Sequence, residues 1–320
     1  MKGKILALLK KSDEYVSGEW LSKEMGVSRT AIWKHINYLR QEGYKIESVP
    51  RLGYKILHIP DKLYAEEIYS LLTTNFIGKK IYHYNHLTST NDQLKKLADE
   101  GKGEGTVVVA EQQTAGKGRL GRSWFSPPGA GIWCSVLLRP TVSPAHAPKL
   151  TLLGAVAVAE GIEKYTGLQP GIKWPNDLLV EGKKVCGLLT EMRAEVDSIN
   201  YVTLGFGINI KLVDFPEEVK GKAITLEGVL GKKLNRVGLL ACILNAFEKN
   251  YLLFLSKGFS PIRGKWEELN VTLGKMVTVT SHSGTVSGEA VALGDGGGLV
   301  VRTDGDELKE FLSGEVTLSR

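Results

Sequence analysis

Hydrophobic residues near the start of the chain recur every three or four positions, which is the spacing of short amphipathic helices. Ile5, Leu6 and Leu9 fall on one side of a first predicted helix, Lys2–Lys10. The same spacing predicts a second helix over Ser17–Met25, which a glycine then ends.

A third helix is predicted from Ser28, a favourable N-cap residue, to about Gln41. Its apolar stripe consists of Ile32, Ile36 and Leu39. The opposite face is polar, with side chains that can donate and accept hydrogen bonds: Thr30, Lys34, Asn37 and Gln41.

Two short strands, Tyr44–Val49 and Tyr54–Leu57, follow the third helix, and Arg51 lies in the turn between them. Two helices, a tight turn, a third helix and a hairpin, in this order, are typical of a winged helix-turn-helix, whose third helix enters the major groove. A small helical docking domain without DNA binding is the alternative. The residues predicted to contact DNA are Ser28, Arg29, Thr30, Lys34, Asn37 and Arg51.

Beyond a linker around Pro60, strands and helices alternate irregularly, which predicts an α+β domain with helices packed on a mixed sheet. The predicted strands are Ile81–Tyr84, Gly105–Glu111, Gly131–Arg139, Ile172–Trp174, Leu178–Val180, Val185–Met192 and Tyr201–Ile210. The predicted helices are Asn91–Ala98, Lys149–Tyr165, Val237–Ser256 and Ile262–Leu269.

From about Val271 the pattern changes to short strands joined by glycine turns, which predicts a small β-barrel. The predicted strands are Met276–Thr280, Thr285–Leu293, Leu299–Arg302 and Glu310–Leu318. The pattern therefore divides the chain into three predicted domains, residues 1–62, 63–269 and 270–320.

Composition narrows the class of protein. Of 320 residues, 42% are hydrophobic and 24% are charged, as in ordinary globular proteins, and the net charge of +6 permits an anionic partner without proving one. No apolar run reaches the length of a membrane span and the start lacks a signal peptide, so we expect a cytoplasmic protein. Cys134, Cys186 and Cys242 lie far apart, so we expect buried free thiols and no metal site.

The loop Gly116–Arg122 carries the first candidate chemistry. Its letters match a dinucleotide-binding fingerprint, but Pro127 and Pro128 soon follow and forbid the required helix. What remains is a glycine segment with Lys117, Arg119 and Arg122, which suits a carboxylate and a phosphate side by side. A solvated basic loop is the alternative. The adjacent aromatic residues, Trp124 and Phe125, favour a loop that folds down over a ligand.

Three further segments are candidates. Lys173–Asp177 lies at a strand end, where a lysine held by a tryptophan and a proline could stabilise charge on a phosphate. Ser89–Asn91 precedes a helix, so plain N-capping is its alternative role. Glycines in Gly205–Asn209 and at Gly187 indicate either a close approach by a ligand or ordinary tight packing.

With these motifs the chain resembles the bifunctional biotin–protein ligases and biotin operon repressors of bacteria, and the resemblance covers all three regions. Gly116–Arg122 is similar to the family's loop over biotinyl-AMP, and Lys173–Asp177 is its KWPND motif. The resemblance implies a winged helix, a biotin/lipoate ligase-type domain and an SH3-like barrel. In two places the chain departs from the commonest loop: Lys117 replaces an arginine, which loses bidentate phosphate contact, and Leu120 stands where some members have arginine.

The resemblance also implies site residues. Biotin contacts are implied for Ser89, Thr90, Asn91, Gln113, Lys117, Gly118, Arg119 and Lys173. Nucleotide contacts are implied for Arg119, Arg122, Trp124, Lys173, Asn176 and Asn209. Catalytic roles are implied for Lys173 at the biotin carboxylate and α-phosphate, and for Lys117 and Arg119 in loop closure and phosphate contact.

The implied activity joins biotin and ATP, with Mg²⁺, into biotinyl-5'-AMP and then transfers biotin to a lysine of a biotin carboxyl carrier protein. The intermediate would also act as corepressor, favouring a homodimer on operator DNA of biotin genes. Two alternatives remain at this point: a lipoate or octanoate ligase of the same fold, and a repressor that senses an effector without catalysis.

Overall fold

The computed structural model describes residues 1–282 and 284–318. Contacts divide the chain into two compact units, Met1–Ser70 and Leu71–Arg320. The predicted domain limits at residues 62 and 269 stay predictions. We describe each unit by itself.

The first unit is a helix-turn-helix followed by a two-stranded wing, as predicted. Its elements are α1 (Lys2–Lys10), α2 (Gly18–Met25), α3 (Arg29–Gln41), β1 (Lys45–Val49), β2 (Gly53–His58) and α4 (Ala65–Tyr69). Ser17 and Ser28 cap α2 and α3, because their hydroxyls accept from Glu19 N and Ala31 N, both at 3.2 Å. Gly26 ends α2 at φ 64°, a conformation that favours glycine.

The predicted apolar stripes of α1 and α3 form the core of this unit. They are buried together with Leu21, Val16, Tyr44 and Ile46. The short helix α4 escaped prediction because five residues show no period. A buried carboxylate, Glu67, ties α4 to the rest: it accepts from Tyr44 Oη at 2.7 Å and pairs with Lys10. The compact unit therefore extends to Ser70.

The second unit contains a mixed seven-stranded sheet in the order β3-β4-β5-β9-β8-β7-β6. The strands are β3 (Lys80–Leu87), β4 (Thr106–Gln113), β5 (Gly131–Leu138), β6 (Gly171–Lys173), β7 (Asp177–Val180), β8 (Lys183–Ala194) and β9 (Ile199–Asn209). The pair β3–β4 is parallel and the other neighbours are antiparallel. All seven strands were predicted, with ends shifted by a few residues.

Helices pack on this sheet and on one another. They are α5 (Thr90–Asp99), α6 (Ala147–Thr166), α7 (Leu226–Leu230), α8 (Arg236–Lys257) and α9 (Ser260–Leu269), of which α7 was not predicted. Leu94, Leu97 and Ala98 of α5 face inward and pack in one cluster with Val108 and Leu137. By length and composition α8 could cross a membrane, but 67% of its most apolar window is buried, as in a core helix.

The chain ends in a five-stranded antiparallel sheet, which confirms the predicted β domain. Its order is β13-β12-β11-β10-β14, from β10 (Met276–Ser281), β11 (Gly284–Leu293), β12 (Leu299–Arg302), β13 (Leu308–Phe311) and β14 (Glu315–Leu318). The single strand predicted over Glu310–Leu318 was wrong. The chain bends at Leu312 and Ser313, and β14 then pairs with β10. Gly314 allows this close approach, since an added Cβ there would lie 2.9 Å from Val279 Cγ1.

The cysteine prediction holds in part. All three thiols are free, and Cys134 and Cys186 are buried, which raises the pKa of each. Cys242 is half-buried instead, because it lies on the less covered side of α8.

Candidate active site

A cleft of about 1060 Å³ opens on the seven-stranded sheet. The start of α5, the loop between β4 and β5, strands β6 to β9 and the last strand, β14, all contribute to its walls. Every residue for which ligand contact was predicted lines this one cleft: Ser89, Thr90, Asn91, Gln113, Lys117, Gly118, Arg119, Arg122, Trp124, Lys173, Asn176 and Asn209. Their individual roles remain predictions.

One end of the cleft is a network of neutral polar groups at the start of α5. Ser89 caps α5, because its hydroxyl accepts a hydrogen bond from Asp92 N at 3.4 Å. The alternative role considered for this segment, N-capping of a helix, is therefore present. Gln113 Oε1 accepts from Thr90 N at 2.8 Å, and Gln113 Nε2 donates to Ser126 Oγ at 2.9 Å. The amide of Gln113 is thereby fixed at the end of β4.

Asn91 is held from several sides beneath the same end. Its Nδ2 donates to Glu191 Oε2 at 2.8 Å and to Leu189 O at 3.2 Å, and its Oδ1 accepts from Ser135 Oγ at 2.6 Å. A Cβ at Gly205 would overlap Asn91 Oδ1, which explains this glycine. Sequence reasoning missed Ser135 and Glu191, since nothing local marks them.

The floor of the cleft carries the indole of Trp124. A Cβ at Gly207 would overlap this ring, and one at Gly187 would lie 2.9 Å from Trp124 Cζ3. The two glycines thus allow a close approach, as predicted, but by a protein side chain. The indole N–H is buried and has no hydrogen-bond partner within residues 1–282 and 284–318. The loop therefore does fold down onto the sheet through its tryptophan.

The cations of the glycine loop are each held by a partner. Lys117 pairs with Asp92 at 2.7 Å. Arg119 Nη1 donates to Asn176 Oδ1 and to Gly314 O, both at 3.2 Å. Arg119 itself begins a single 3-10 turn, Arg119–Gly121, within the predicted irregular loop.

Arg122 reaches the last strand of the chain. Its Nη1 donates to Glu315 Oε1 at 2.8 Å, and its Nη2 contacts the second oxygen of the same carboxylate. This hydrogen-bonded arginine lowers the pKa of the Glu315 carboxyl. The C-terminal sheet therefore forms part of the cleft wall, which the sequence did not indicate.

Two lysines lie deeper in the cleft. Burial lowers the pKa of the Lys173 ammonium, and the nearby Asp177 carboxylate opposes this effect. Within the described part of the chain the Lys173 ammonium makes no hydrogen bond and no ion pair, so it can meet an anionic ligand directly. Burial likewise lowers the pKa of the Arg119 guanidinium.

Lys184 is the second lysine, and the sequence interpretation did not single it out. Its Nζ lies 2.6 Å from Asp177 Oδ1 and 5.2 Å from the centroid of the Trp124 ring. A Cβ at Gly187 would lie 3.2 Å from this Nζ. One feature of the sequence could have indicated Lys184: it lies three residues before Gly187, at the start of a predicted strand.

The predicted DNA-contacting residues lie on α3, at its N-cap and in the turn between β1 and β2. Arg29, Thr30 and Lys34 are exposed on α3, and Arg51 is exposed between β1 and β2 at φ 67°. Asn37 is half-buried and accepts from Arg40 Nη1 at 3.1 Å, while Ser28 is engaged as the N-cap of α3. The side chain of Trp33 is also exposed on α3 and was not predicted to contact DNA.

Among the described residues, no three His, Cys, Asp or Glu side chains converge in a way that could hold a metal ion. In the cleft, Asp177 and Glu315 are already paired with Lys184 and Arg122.

Fold and cleft together define a ligase-type domain joined to a helix-turn-helix unit. Three family descriptions match: HTH domain over residues 2–55, Biotin/lipoate A/B protein ligase family over residues 84–209, and Biotin protein ligase C terminal domain over residues 272–319.

Similar proteins of known function identify the family to which the whole chain belongs. The Bifunctional ligase/repressor BirA of Bacillus subtilis (strain 168) is 42% identical over 96% of this chain and 94% of that protein. The protein of the same name from Escherichia coli (strain K12) is 32% identical over 98% of this chain and 96% of that protein. A biotin protein ligase from Aquifex aeolicus, solved with biotin and ATP, superposes with a TM-score of 0.65 at 33% identity, covering 76% of this chain and 99% of that one. The chain belongs to the BirA family of bifunctional ligase/repressors, which confirms the predicted resemblance.

Proposed function

We propose that this protein forms biotinyl-5'-AMP from biotin and ATP, transfers biotin to a lysine of a biotin carboxyl carrier protein, and represses biotin genes by binding operator DNA. One observation carries the enzymatic part: a single cleft unites the neutral network at α5 with a cluster of cations. Biotin has a neutral polar ring system at one end and a carboxylate at the other. The neutral network of the cleft therefore suits the ring system of biotin, and its cations suit the carboxylate.

The neutral end suits the ring system of biotin. Backbone and side-chain groups of Thr90, Asn91 and Gln113 offer both donors and acceptors, and they are held in fixed orientations by Ser126 and Ser135. Fixed polar partners discriminate well, because a ligand without matching groups leaves them unpaired. This network therefore supports biotin over lipoate, whose ring carries no hydrogen-bonding groups.

The cationic end suits the reacting groups. Here Lys173 and Lys184 approach from the sheet, and Arg119 and Arg122 approach from the loop. When the biotin carboxylate attacks the α-phosphorus of ATP, negative charge builds on the phosphoryl oxygens and on the leaving pyrophosphate. Cations already in place stabilise that charge without reorganisation of solvent. Mg²⁺ would enter with ATP and neutralise the outer phosphates.

Positioning supplies the remainder of the catalysis. The carboxylate is itself the nucleophile, and in the second step the carrier lysine attacks the mixed anhydride, so neither step needs a covalent bond to this protein. The glycine loop, fastened to the C-terminal sheet by Arg122 and Glu315, covers the cleft. A covered cleft keeps water from the reactive anhydride.

An exchange assay separates biotin from the related substrate class. With biotin, MgATP and labelled pyrophosphate, we expect label to enter ATP, because adenylation is reversible while the intermediate stays bound. With lipoate or octanoate in place of biotin, we expect no exchange above the background without acid. Exchange with lipoate and none with biotin would contradict the proposed substrate, and no exchange with any acid would favour a repressor without catalysis.

The repressor part rests on the first unit. Arg29 and Lys34 are exposed cations on α3, like the polar Thr30, and Arg51 is an exposed cation between β1 and β2. Phosphate contacts from such cations position a recognition helix over base edges. The helix-turn-helix is long established as an element whose second helix occupies the major groove. DNA binding thus has its own surface, separate from the cleft. The carrier protein and the operator are the two macromolecular partners, and we expect both in the cytoplasm.

The proposal includes a homodimer, since two winged helices are needed to bind a two-fold operator. Biotinyl-AMP would favour the dimer by ordering the loop Gly116–Arg122, which links ligand and assembly as two coupled equilibria. In sedimentation velocity we expect a larger species when biotin and MgATP are added together than with either alone. A sedimentation coefficient that does not change on adding both, at micromolar protein, would refute the ligand-linked dimer.

A further inference from the structure

A fully buried arginine, Arg236, cross-links the two ends of the loop that covers the cleft. It is the first residue of α8 and has 0% exposure. Its Nη2 donates to Glu111 Oε2 at 2.8 Å, and its Nη1 donates to Gly131 O at 2.9 Å. Glu111 lies near the end of β4, where the chain enters the loop, and Gly131 is the first residue of β5, where the chain leaves it.

The position of this cross-link is informative. The backbone ladder between β4 and β5 runs from Val107–Val136 to Ala110–Trp133 and stops there. Glu111 and Gly131 are thus held together beyond the last ladder pair, at the point where the strands would otherwise separate. A planar guanidinium suits this task, because its donors point in fixed directions to two acceptors at once.

Other contacts strengthen the same junction. Gly129 N donates to Glu111 O at 2.8 Å, and His83 Nε2 lies 3.0 Å from Glu111 Oε1. A buried ion pair is a weak source of stability compared with apolar packing of the same volume. An effect on geometry is therefore the better explanation for this pair, since stability alone would be served as well by apolar side chains.

The junction lies directly under the ligand-contacting part of the loop. Gln113, whose amide anchors the neutral network, is two residues beyond Glu111 on the same strand. Gly116 rests on this amide: a Cβ there would lie 3.0 Å from Gln113 Nε2 and 2.8 Å from Ser126 Oγ. A shift of β4 at Glu111 would consequently move both Gln113 and the start of the glycine loop.

We propose that Arg236 is a positioning residue for biotin binding, which acts by fixing both ends of the loop so that Gln113 and Gly116–Arg122 face the substrate. This inference rests on the proposed biotin-ligase function. Arg236 does not line the cleft and would not touch the ligand. It acts through Glu111 and Gly131.

Arg139 provides a matched control at the other end of β5. Its guanidinium also bridges backbone carbonyls, donating to Asn200 O at 2.8 Å, Ala98 O at 3.1 Å and Lys102 O at 3.2 Å. It does not line the cleft. An Arg139→Lys variant therefore loses comparable structural contacts far from the loop.

The experiment compares Arg236→Lys, Arg139→Lys and wild type by the biotin KM of carrier biotinylation, the midpoint of thermal unfolding, and trypsin cleavage after Lys117, Arg119 and Arg122. We expect Arg236→Lys to raise the biotin KM at least about tenfold, with a smaller change in kcat, and to speed loop cleavage without ligand. We expect Arg139→Lys to lower the unfolding midpoint while leaving the biotin KM and loop cleavage near wild type.

A biotin KM for Arg236→Lys within twofold of wild type would overturn the proposal, as would an equal increase in Arg139→Lys. If Arg236→Lys does not fold, Glu111→Gln replaces it, since the amide keeps the size and one acceptor. For Glu111→Gln we expect a raised biotin KM and faster loop cleavage. If both the biotin KM and the rate of loop cleavage equal those of wild type, the proposal is overturned. Wild type without any biotinylation would instead refute the proposed function, while the cleavage comparison would still report on the loop.

Discussion

The variants Lys173→Ala and Lys184→Ala are each expected to slow biotinyl-AMP formation by about 10²–10³-fold, the loss typical when one preorganised charge-stabilising group is removed. Lys173 is half-buried and lines the cleft, so its ammonium can interact with the ligand while little solvent has to reorient. Lys184 is held over Trp124 by Asp177 at 2.6 Å. Single-turnover formation of the adenylate, followed by quench and chromatography, measures this step directly.

The matched control is Lys164→Ala, which removes an exposed lysine near the end of α6, away from the cleft. It should leave the adenylation rate within about twofold of wild type, because solvated surface charges contribute little. If Lys173→Ala and Lys184→Ala were as active as Lys164→Ala, the cationic end would not be where the phosphates react. Loss in only one of the two would identify the lysine that contacts the reacting phosphate.

Removal of residues 1–70 is expected to abolish specific operator binding, with a fall in affinity of at least about 10³-fold, the usual gap between specific and non-specific binding. The cut follows the limit of the first compact unit at Ser70, so that α4 and its buried Glu67 leave with their own core. Electrophoretic mobility or fluorescence anisotropy with a DNA site selected by the full-length protein measures the affinity at fixed salt.

The full-length double variant Lys34→Ala/Arg51→Ala serves as the control for deletion effects. It removes two exposed cations from α3 and the wing and should weaken binding with a shallower dependence on salt, because fewer counterions are released. Operator binding retained by the truncated chain would contradict the assignment of the winged helix. Equal binding by the double variant would place the DNA on a different surface.

Much of the fold was predictable because the hydrophobic residues of its longer helices and strands recur with a clear period. The stripes Ile5–Leu6–Leu9 and Ile32–Ile36–Leu39 are buried, and Ser28 caps α3 as its place in the sequence indicates. The cleft residues were predictable for a different reason. Gly116–Arg122 and Lys173–Asp177 carry the resemblance to a known family, and that resemblance implied the site residues, while residue types alone left a solvated basic loop open.

What escaped prediction depends on tertiary contacts. The helices α4 and α7 span five residues each, too short for a period to be visible. The division of the last segment into β13 and β14 follows from the close approach of Gly314 to β10, which no local pattern reveals.

Contacts with residues that are distant in the sequence also distinguish one charged side chain from another. Lys184 resembles its exposed neighbour Lys183 in the sequence, and only its contacts with Asp177 and Trp124 distinguish it. In the same way Arg236 is one of many arginines until Glu111 and Gly131 are found beside it. Function in this cleft is thus assembled from segments that are far apart in the chain.

The central claim is tested most directly by incubating the protein with biotin, MgATP and a biotin carboxyl carrier domain and then measuring the intact mass of the carrier. We expect a gain of one biotinyl group per carrier, dependent on ATP and abolished when the acceptor lysine of the carrier is replaced by arginine. A carrier whose mass stays unchanged with biotin, or which gains a lipoyl group instead when lipoate is supplied, would contradict the account.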